Sequence, residues 1–120
     1  MSKPTIGFIG LGLMGGAMVG RLQDQGYLVT VIANRTRTFV DQAVARGATE
    51  VATAKAVAQA SDIIMLCMDT SKNVEERMQG DKGVVAGLKK GAIVIDFGTS
   101  LPGSTRTLGN IVSAAGGKYL

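Results

Sequence analysis

The sequence predicts an α/β domain built on a doubly wound, mostly parallel sheet. Short apolar runs alternate with helix-like stretches along the chain, which is the pattern of βαβ units. The runs are rich in Val and Ile and lack strict polar alternation, so they suit strands buried on both faces. Hydrophobic residues make up 46% of the 120 residues and aromatic residues only 4%. An aliphatic core of this kind fits a sheet covered by helices, in one domain spanning 1–120.

The individual elements follow from apolar runs and from the glycines that bound them. The predicted strands are Thr5–Ile9, Leu28–Ala33, a short Ala48–Val51, Ile63–Met68 and Ala92–Asp96. The predicted helices are Met14–Gln25, Thr38–Arg46, Thr53–Gln59, Asn73–Gln79 and Pro102–Ala115, with one short turn of helix within Lys82–Leu88. Glycine favours the left-handed conformation that ends helices, and we expect it at Gly26, Gly47, Gly80 and Gly116.

Between the first strand and the first helix lies the segment Gly10-Leu11-Gly12-Leu13-Met14-Gly15. A bare G-x-G-x-x-G pattern is weak in a chain with 17 glycines. Its position between a strand and a helix makes it the fingerprint of a dinucleotide-binding Rossmann fold. Gly10 then permits the tight turn, Gly12 lets the backbone approach a pyrophosphate, and Gly15 lets the helix lie close to the sheet. The unpaired N–H groups of the helix N-terminus would bind the anion.

A membrane segment or signal peptide is the alternative interpretation of this region. Pro4–Gly20 carries no charge and contains glycines spaced four apart, at Gly12, Gly16 and Gly20. The β-branched and aromatic residues of Thr5–Ile9 favour a buried strand instead, and the dense glycines would weaken a continuous helix. The nucleotide interpretation accounts for the strand and the glycine spacing together.

Charge and composition limit the functional classes. The formal charge is +4, but the basic residues are scattered and aromatic residues are rare, so we expect no nucleic-acid partner. The chain has no histidine, which argues against a zinc site and excludes imidazole acid–base chemistry, and we expect no metal-binding residues. A single cysteine without a secretory signature indicates a cytoplasmic protein, with no disulfide within the chain and no membrane partner.

The corner after the second strand indicates which dinucleotide is bound. Rossmann domains that bind NAD usually place Asp or Glu about 20 residues after the glycines, where it contacts the ribose 2′-hydroxyl. Here the corner reads Asn34-Arg35-Thr36-Arg37. A guanidinium group in place of a carboxylate would bind a 2′-phosphate, so Arg35 predicts NADP in preference to NAD. In the alternative interpretation, Arg35 and Arg37 are solvated charges at the start of a helix.

Three motifs together carry a resemblance to a known family. They are Gly7-Phe8-Ile9-Gly10-Leu11-Gly12-Leu13-Met14-Gly15, the Asn34-Arg35-Thr36 corner, and Asp96-Phe97-Gly98-Thr99-Ser100-Leu101-Pro102. In this order the sequence resembles the N-terminal domain of the β-hydroxyacid dehydrogenases, over essentially its whole length. That group includes 3-hydroxyisobutyrate dehydrogenase, tartronate semialdehyde reductase and 6-phosphogluconate dehydrogenase.

The resemblance implies a set of cofactor contacts. The Gly10–Gly15 segment would hold the pyrophosphate, and Asn34, Arg35 and Thr36 match the 2′-phosphate-binding triplet of NADP-using members. Met68 and Asp69 stand where the family has a Leu-Pro pair bordering the cofactor, so Asp69 adds a charge there. Asn73 matches a cofactor-contacting asparagine, and it could equally cap the helix that it begins.

At the nicotinamide end, Thr99 matches the family threonine that reaches the cofactor. The usual D-x-S-T motif has Gly98 in place of serine, so the substrate class stays open. We expect Asp96 to anchor the turn at the strand end, and Cys67 to be a small buried apolar residue, because no cation flanks it to lower its pKa.

The resemblance also implies that catalytic groups lie outside these 120 residues. In the family a lysine on a later helix manages the alcohol proton, and a helical domain closes the cleft and often dimerises. The strand-like Gly117–Leu120 suggests a fragment of a longer protein. We therefore expect NADP(H) binding without catalysis here, and a homo-oligomeric hydroxyacid dehydrogenase at full length. An NADPH-dependent imine reductase and a non-catalytic NADP(H)-sensing module remain alternatives.

Overall fold

A computed structural model of the protein describes residues 4–10, 13–32, 37–67, 78–97 and 109–119. The strands are β1 (Ile6–Ile9), β2 (Val29–Ile32), β3 (Thr49–Val51), β4 (Ile63–Leu66), β5 (Ile93–Asp96) and β6 (Lys118–Tyr119). The helices are α1 (Leu13–Asp24), α2 (Arg37–Ala45), α3 (Ala54–Gln59), α4 (Val84–Gly87) and α5, whose described part spans 109–114.

These described strands form one parallel sheet in the order β3-β2-β1-β4-β5-β6. This is the strand order of the Rossmann fold, so the predicted fold class is confirmed. The register aligns the last residues of three neighbouring strands, because Ile9 pairs with Leu66 and Leu66 pairs with Asp96. The carboxyl ends of β1, β4 and β5 therefore lie level at one edge of the sheet.

Two separate apolar clusters cover the two faces of the sheet, as a doubly wound fold requires. On one face, Phe8, Val29 and Val31 pack with side chains of α1 and α2. On the other face, strand residues pack with α3, α4 and α5; the members are Ile9, Ile32, Ala54, Val57, Ala58, Ile64, Leu66, Met78, Val84, Ala92, Val94 and Val112. Each cluster is continuous across several strands, so helix burial on both sides stabilises the sheet.

The predicted burial of every strand on both faces holds for only part of the sheet. All four residues of β1 and of β2 are buried. In β4 only alternate residues are buried, and in β5 only Val94 is. Helix α1 contacts β1 and β2, and helix α2 contacts β2 and β3, so these two helices lie over the β1–β3 half of the sheet. The face of β4 and β5 that lies on the α1 side is thus half-exposed.

Most predicted elements are confirmed, with ends that differ by one or two residues. The short strand expected at Ala48–Val51 is β3, the turn of helix within Lys82–Leu88 is α4, and the strand expected from Gly117 is β6. The four predicted helix-ending glycines all have positive φ, between 84° and 104°. The helix predicted at Asn73–Gln79 lies outside the described residues except at its end, where Met78 is helical and buried.

Close packing of α1 against α2 explains Gly16, one of the glycines spaced four apart that resembled a membrane motif. A Cβ on Gly16 would lie 2.6 Å from Cδ1 of Phe39, so the α2 ring occupies the space that a side chain would need. One turn later, the Arg46 guanidinium donates a hydrogen bond to the Gly20 carbonyl oxygen at 3.3 Å, and Gln23 Nε2 donates to Ala43 O at 2.9 Å. Within the described ranges, none of the helices has the length and hydropathy needed to cross a membrane.

The two glycines of α1 predict opposite results on replacement by alanine. Gly16→Ala should lower the free energy of unfolding by about 1–3 kcal/mol, because the methyl group overlaps the Phe39 ring. Gly20→Ala is the matched control: its Cβ would meet only the Arg46 guanidinium, at 3.4 Å. Alanine is the better helix former by about 1 kcal/mol, so Gly20→Ala should be neutral or stabilising. Urea denaturation measures both; equal losses would contradict the packing explanation.

Candidate dinucleotide-binding site

The site predicted from sequence lies where the strand order reverses, between β1 and β4. From β1 the chain proceeds outward through β2 to β3, and from β4 it proceeds in the opposite direction through β5 to β6. In open α/β sheets, ligands bind in the crevice outside the carboxyl ends of the strands at such a switch point. The loop that leaves β1 at Gly10 begins at this crevice.

Gly10 makes the turn that the sequence predicts at the end of β1. Its φ is +104°, a conformation that side chains with a Cβ rarely adopt. A Cβ built there would lie 2.2 Å from the carbonyl oxygen of Cys67, the residue that follows β4. The backbone of the loop therefore lies directly against the end of the neighbouring strand, and only glycine fits.

Gly15 lies in the first turn of α1 and packs against the same loop. A Cβ on Gly15 would lie 2.1 Å from the Gly10 carbonyl oxygen and 3.0 Å from the Phe8 ring. The structural role expected for this glycine, close approach of helix and strand, is therefore present. The approach places the N-terminus of α1, with its unpaired N–H groups, at the carboxyl edge of β1.

The other predicted cofactor contacts lie outside the described residues. They are Leu11, Gly12, Asn34, Arg35, Thr36, Met68, Asp69, Asn73 and Thr99, and for Leu13 and Met14 the backbone alone is described, in α1. Most of them follow the carboxyl end of a strand in the sequence. The corner at 34–36 follows β2, the pair at 68–69 follows Cys67, and Thr99 follows Phe97. Their contacts with a cofactor remain predictions.

Backbone hydrogen bonds extend the sheet by one residue past β4 and β5. The Cys67 N–H donates to the Ile9 carbonyl oxygen at 2.9 Å, and the Phe97 N–H donates to the Leu66 carbonyl oxygen at 2.8 Å. Gly10, Cys67 and Phe97 thus stand side by side along the edge, each one residue past its strand. Of these three residues, Gly10 belongs to the predicted cofactor site, and Phe97 has no predicted role.

Asp96 has a partner that the sequence did not indicate. The Tyr119 hydroxyl of β6 donates a hydrogen bond to Asp96 Oδ2 at 3.0 Å. Partial burial and the neighbouring carboxylate raise the pKa of the Tyr119 hydroxyl, so it stays protonated and remains a donor. Asp96 is thereby held toward the face that carries Val94 and Val112, against which Tyr119 packs. This contact joins the end of β5 to β6, whereas the turn that Asp96 is expected to anchor lies outside the described residues.

Cys67 is half-buried and lies among the apolar residues on the α1 side of the sheet. Burial raises the pKa of its thiol, and the Asp96 carboxylate raises it further. A protonated thiol is a poor nucleophile, so the apolar packing role expected from sequence fits its surroundings.

Alkylation of Cys67 should be slow at neutral pH and should accelerate only at alkaline pH. The pKa of the Cys67 thiol is higher in the folded chain than in the unfolded chain. The contribution of the protonated thiol to the free energy of unfolding is therefore complete below the unfolded-state pKa and is lost as the pH rises through the folded-state pKa. The measurement is the pH dependence of iodoacetamide labelling of this single cysteine, with the denaturant-unfolded chain as control. Faster labelling of the folded chain at neutral pH would contradict the prediction.

Comparisons with known proteins identify the family to which the chain belongs. Residues 5–120 match the family described as the NAD binding domain of 6-phosphogluconate dehydrogenase. Over 107 residues the chain is 37% identical to 3-hydroxyisobutyrate dehydrogenase-like 2, a mitochondrial protein of Arabidopsis thaliana; the match covers 89% of this chain and 36% of that protein. It is 34% identical over 115 residues to the cytokine-like nuclear factor N-PAC of Xenopus tropicalis, covering 96% of this chain and 21% of that protein.

Solved structures show the same fold. Psf3 in complex with NADP⁺ and 2-OPP superposes with a TM-score of 0.86 at 32% identity, covering 96% of this chain and 40% of Psf3. A reductive aminase from Aspergillus terreus in complex with NADPH and ethyl levulinate gives a TM-score of 0.76 at 27% identity, covering 98% of this chain and 40% of the aminase. The chain spans about a third of the length of the Arabidopsis relative.

The family match extends over residues 5–120, nearly the whole chain. This chain therefore belongs to the NAD-binding-domain family of the 6-phosphogluconate and 3-hydroxyisobutyrate dehydrogenases.

Proposed function

We propose that this chain is the NADP(H)-binding domain of an oxidoreductase that transfers a hydride between the nicotinamide and a small β-hydroxyacid. The observation that carries the proposal is the Gly10 turn, which lies against the end of β4 at the switch point of the sheet. A side chain at Gly10 would overlap the Cys67 carbonyl group, so the backbone of the turn lies directly against the end of β4 and leads into the α1 N-terminus. A helix N-terminus in this position suits a pyrophosphate.

The roles of the protein groups follow from this arrangement. N–H groups in the first turn of α1 would bind the pyrophosphate, with the positive end of the helix dipole adding to the attraction. The Gly10 and Gly15 backbones bring α1 close enough to the edge for those contacts. The bound cofactor supplies the hydride chemistry, and the protein positions it.

Preference for NADP over NAD rests on the sequence after β2 and on two relatives. Arg35 stands where a carboxylate would otherwise contact the ribose 2′-hydroxyl, and a guanidinium group binds a phosphate through paired hydrogen bonds. Psf3 and the Aspergillus reductive aminase were solved with NADP⁺ and NADPH respectively. Both considerations favour NADP, with Asn34 and Thr36 beside Arg35 in the same site.

The hydroxyacid activity is assigned to a longer polypeptide that contains this domain. The chain covers 36% of the dehydrogenase-like relative from Arabidopsis and 40% of Psf3. We place the acid–base lysine and a helical, dimerising domain in the remainder, and the substrate among hydroxyisobutyrate-like, tartronate-semialdehyde-like or 6-phosphogluconate-like acids. A cytoplasmic location, expected from the single cysteine, belongs to the same proposal.

Two alternatives have specific support among the relatives. Likeness to the reductive aminase favours an imine-reducing enzyme with the same cofactor domain. N-PAC is named as a nuclear factor and not as an enzyme, and likeness to it keeps a non-catalytic NADP(H)-binding module as the second alternative. The catalytic residue of the complete protein discriminates among the three, because a hydroxyacid dehydrogenase needs a group that takes the alcohol proton.

Calorimetric titration of the 120-residue chain with NADP⁺ and separately with NAD⁺ tests the cofactor assignment. We expect NADP⁺ to bind about 10- to 1000-fold more tightly, as a few kcal/mol of phosphate contact would give. Incubation with hydroxyisobutyrate and NADP⁺ should give no NADPH from this chain alone. Tighter binding of NAD⁺ would refute the NADP assignment, and turnover by the isolated chain would refute the location of the catalytic group.

A further inference from the structure

Phe97 is an exposed aromatic residue at the edge of the sheet where the cofactor is proposed to bind. Among the described residues, three large apolar side chains are exposed: Leu28 at 73%, Val44 at 40% and Phe97 at 45%. Leu28 precedes β2 at the amino edge of the sheet, and Val44 lies on α2. Phe97 alone of the three follows a strand at its carboxyl end.

The neighbouring residues fix which side of the sheet Phe97 occupies. The Asp96 carboxylate is hydrogen-bonded to Tyr119, which packs with the cluster containing Val94 and Val112. Successive residues of a strand point to opposite faces, and the Phe97 N–H continues the ladder by donating to Leu66. Phe97 therefore points toward the α1 side, the side on which Cys67 packs.

On this side of the sheet the side chains of β5 are only partly covered. The residues of β5 on the same face as Phe97, Ile93 and Ile95, are only half-buried although β5 is an interior strand. Phe97 stands two strands from Gly10, which corresponds to about 10 Å at the usual strand spacing. Phe97 thus lies within the length of a dinucleotide from the proposed pyrophosphate position. It shares its side of the sheet with the half-buried side chains of Ile93 and Ile95.

The course of a bound dinucleotide follows from the two ends of the site. In Rossmann domains the adenosine ribose lies beside the end of β2, and the pyrophosphate lies at the turn after β1. With the order β2-β1-β4-β5, the other half of the molecule must continue over the ends of β4 and β5. The first exposed aromatic side chain on that course, within the described part of the chain, is Phe97.

We propose that Phe97 supports the nicotinamide ring of the bound cofactor by apolar and stacking contact. The inference rests on the proposed function and adds a binding residue to the same site. A flat ring on an aromatic or apolar surface loses hydration, and the oxidised ring carries a positive charge that an aromatic face attracts. Phe97 holds the cofactor and takes part in no proton or hydride transfer.

The test compares Phe97→Ala with the unsubstituted chain in titrations with two probes. NADP⁺ occupies both halves of the site, whereas 2′,5′-ADP occupies only the adenosine half. We expect Phe97→Ala to weaken NADP⁺ binding about 5- to 100-fold, the range measured when an aromatic partner of a stacked base is removed. Binding of 2′,5′-ADP should not change, and Phe97→Trp should restore NADP⁺ binding.

Leu28→Ala is the matched control, since it removes another exposed apolar side chain at the opposite edge. It should change binding of neither probe. An unchanged NADP⁺ affinity in Phe97→Ala, or an equal loss for both probes, would overturn the role of Phe97 and leave the proposed function standing. Failure of the unsubstituted chain to bind either probe would overturn the proposed function and this inference together.

Discussion

Replacement of Gly10 by alanine is expected to destabilise the fold by about 2–5 kcal/mol and to abolish dinucleotide binding. Two costs add at this position. An L-residue at φ +104° is strained by about 1–2 kcal/mol, and the new methyl group would lie 2.2 Å from the Cys67 carbonyl oxygen. Relieving that overlap requires backbone movement, at about 1–3 kcal/mol. The movement also displaces the turn after β1 and the start of α1, where the pyrophosphate is proposed to bind.

Gly47→Ala separates the two costs. Gly47 has the same φ of +104°, but a Cβ there would meet nothing within 4 Å. We expect it to lose only the strain, about 1–2 kcal/mol, and to keep its affinity for NADP⁺. Urea denaturation gives both free energies of unfolding, and calorimetry gives both affinities. Equal destabilisation by the two substitutions would show that close contact with β4 contributes nothing.

Arg35→Ala is expected to lower the affinity for NADP⁺ about 10- to 1000-fold and to leave the affinity for NAD⁺ nearly unchanged. The two cofactors differ only in the 2′-phosphate. Removal of a guanidinium group that binds it loses charge-assisted hydrogen bonds, each contributing about 1.5–3 kcal/mol. Calorimetric titration of both cofactors therefore gives the effect as a change in their affinity ratio.

Arg21→Ala is the matched control for the loss of a positive charge. Arg21 is exposed in the last turn of α1, at the end of the helix away from the proposed site. Its removal should lower both affinities equally and only slightly, because exposed charges at that distance are screened by salt. If Arg21→Ala changes the ratio as much as Arg35→Ala does, the preference for NADP comes from overall charge, and the Arg35 assignment is wrong.

Local signals in the sequence were sufficient for most elements of the fold. β-Branched runs marked the strands, and glycines after apolar periodic stretches marked the helix ends at Gly26, Gly47, Gly80 and Gly116, all with positive φ. The turn at Gly10 was also predictable, because a strand, a glycine and a helix follow one another directly. Each of these features depends on residues close together in the chain.

Features that depend on distant residues were not predictable in the same way. Gly7 is one example: a Cβ there would lie 2.4 Å from Cγ1 of Val57 and 2.5 Å from Oγ of Ser61. The sequence contains no signal that α3 crosses β1 at this position. Gly16 is another example. Its spacing to Gly20 suggested a membrane motif, whereas the reason for a glycine at this position is the Phe39 ring of α2, which occupies the space of a side chain. The Asp96–Tyr119 hydrogen bond joins residues 23 positions apart.

The amino-acid sequence alone was thus enough to predict the fold class, the order of most elements and a glycine turn suited to a dinucleotide. Periodicity and backbone preference act over a few residues, so they can be inferred without coordinates. The alignment of Gly10, Cys67 and Phe97 along one edge, and the half-exposed face of β5 beside them, arise from strand order and register. Those follow from how separate segments bury apolar surface against each other, and only the three-dimensional packing reveals them.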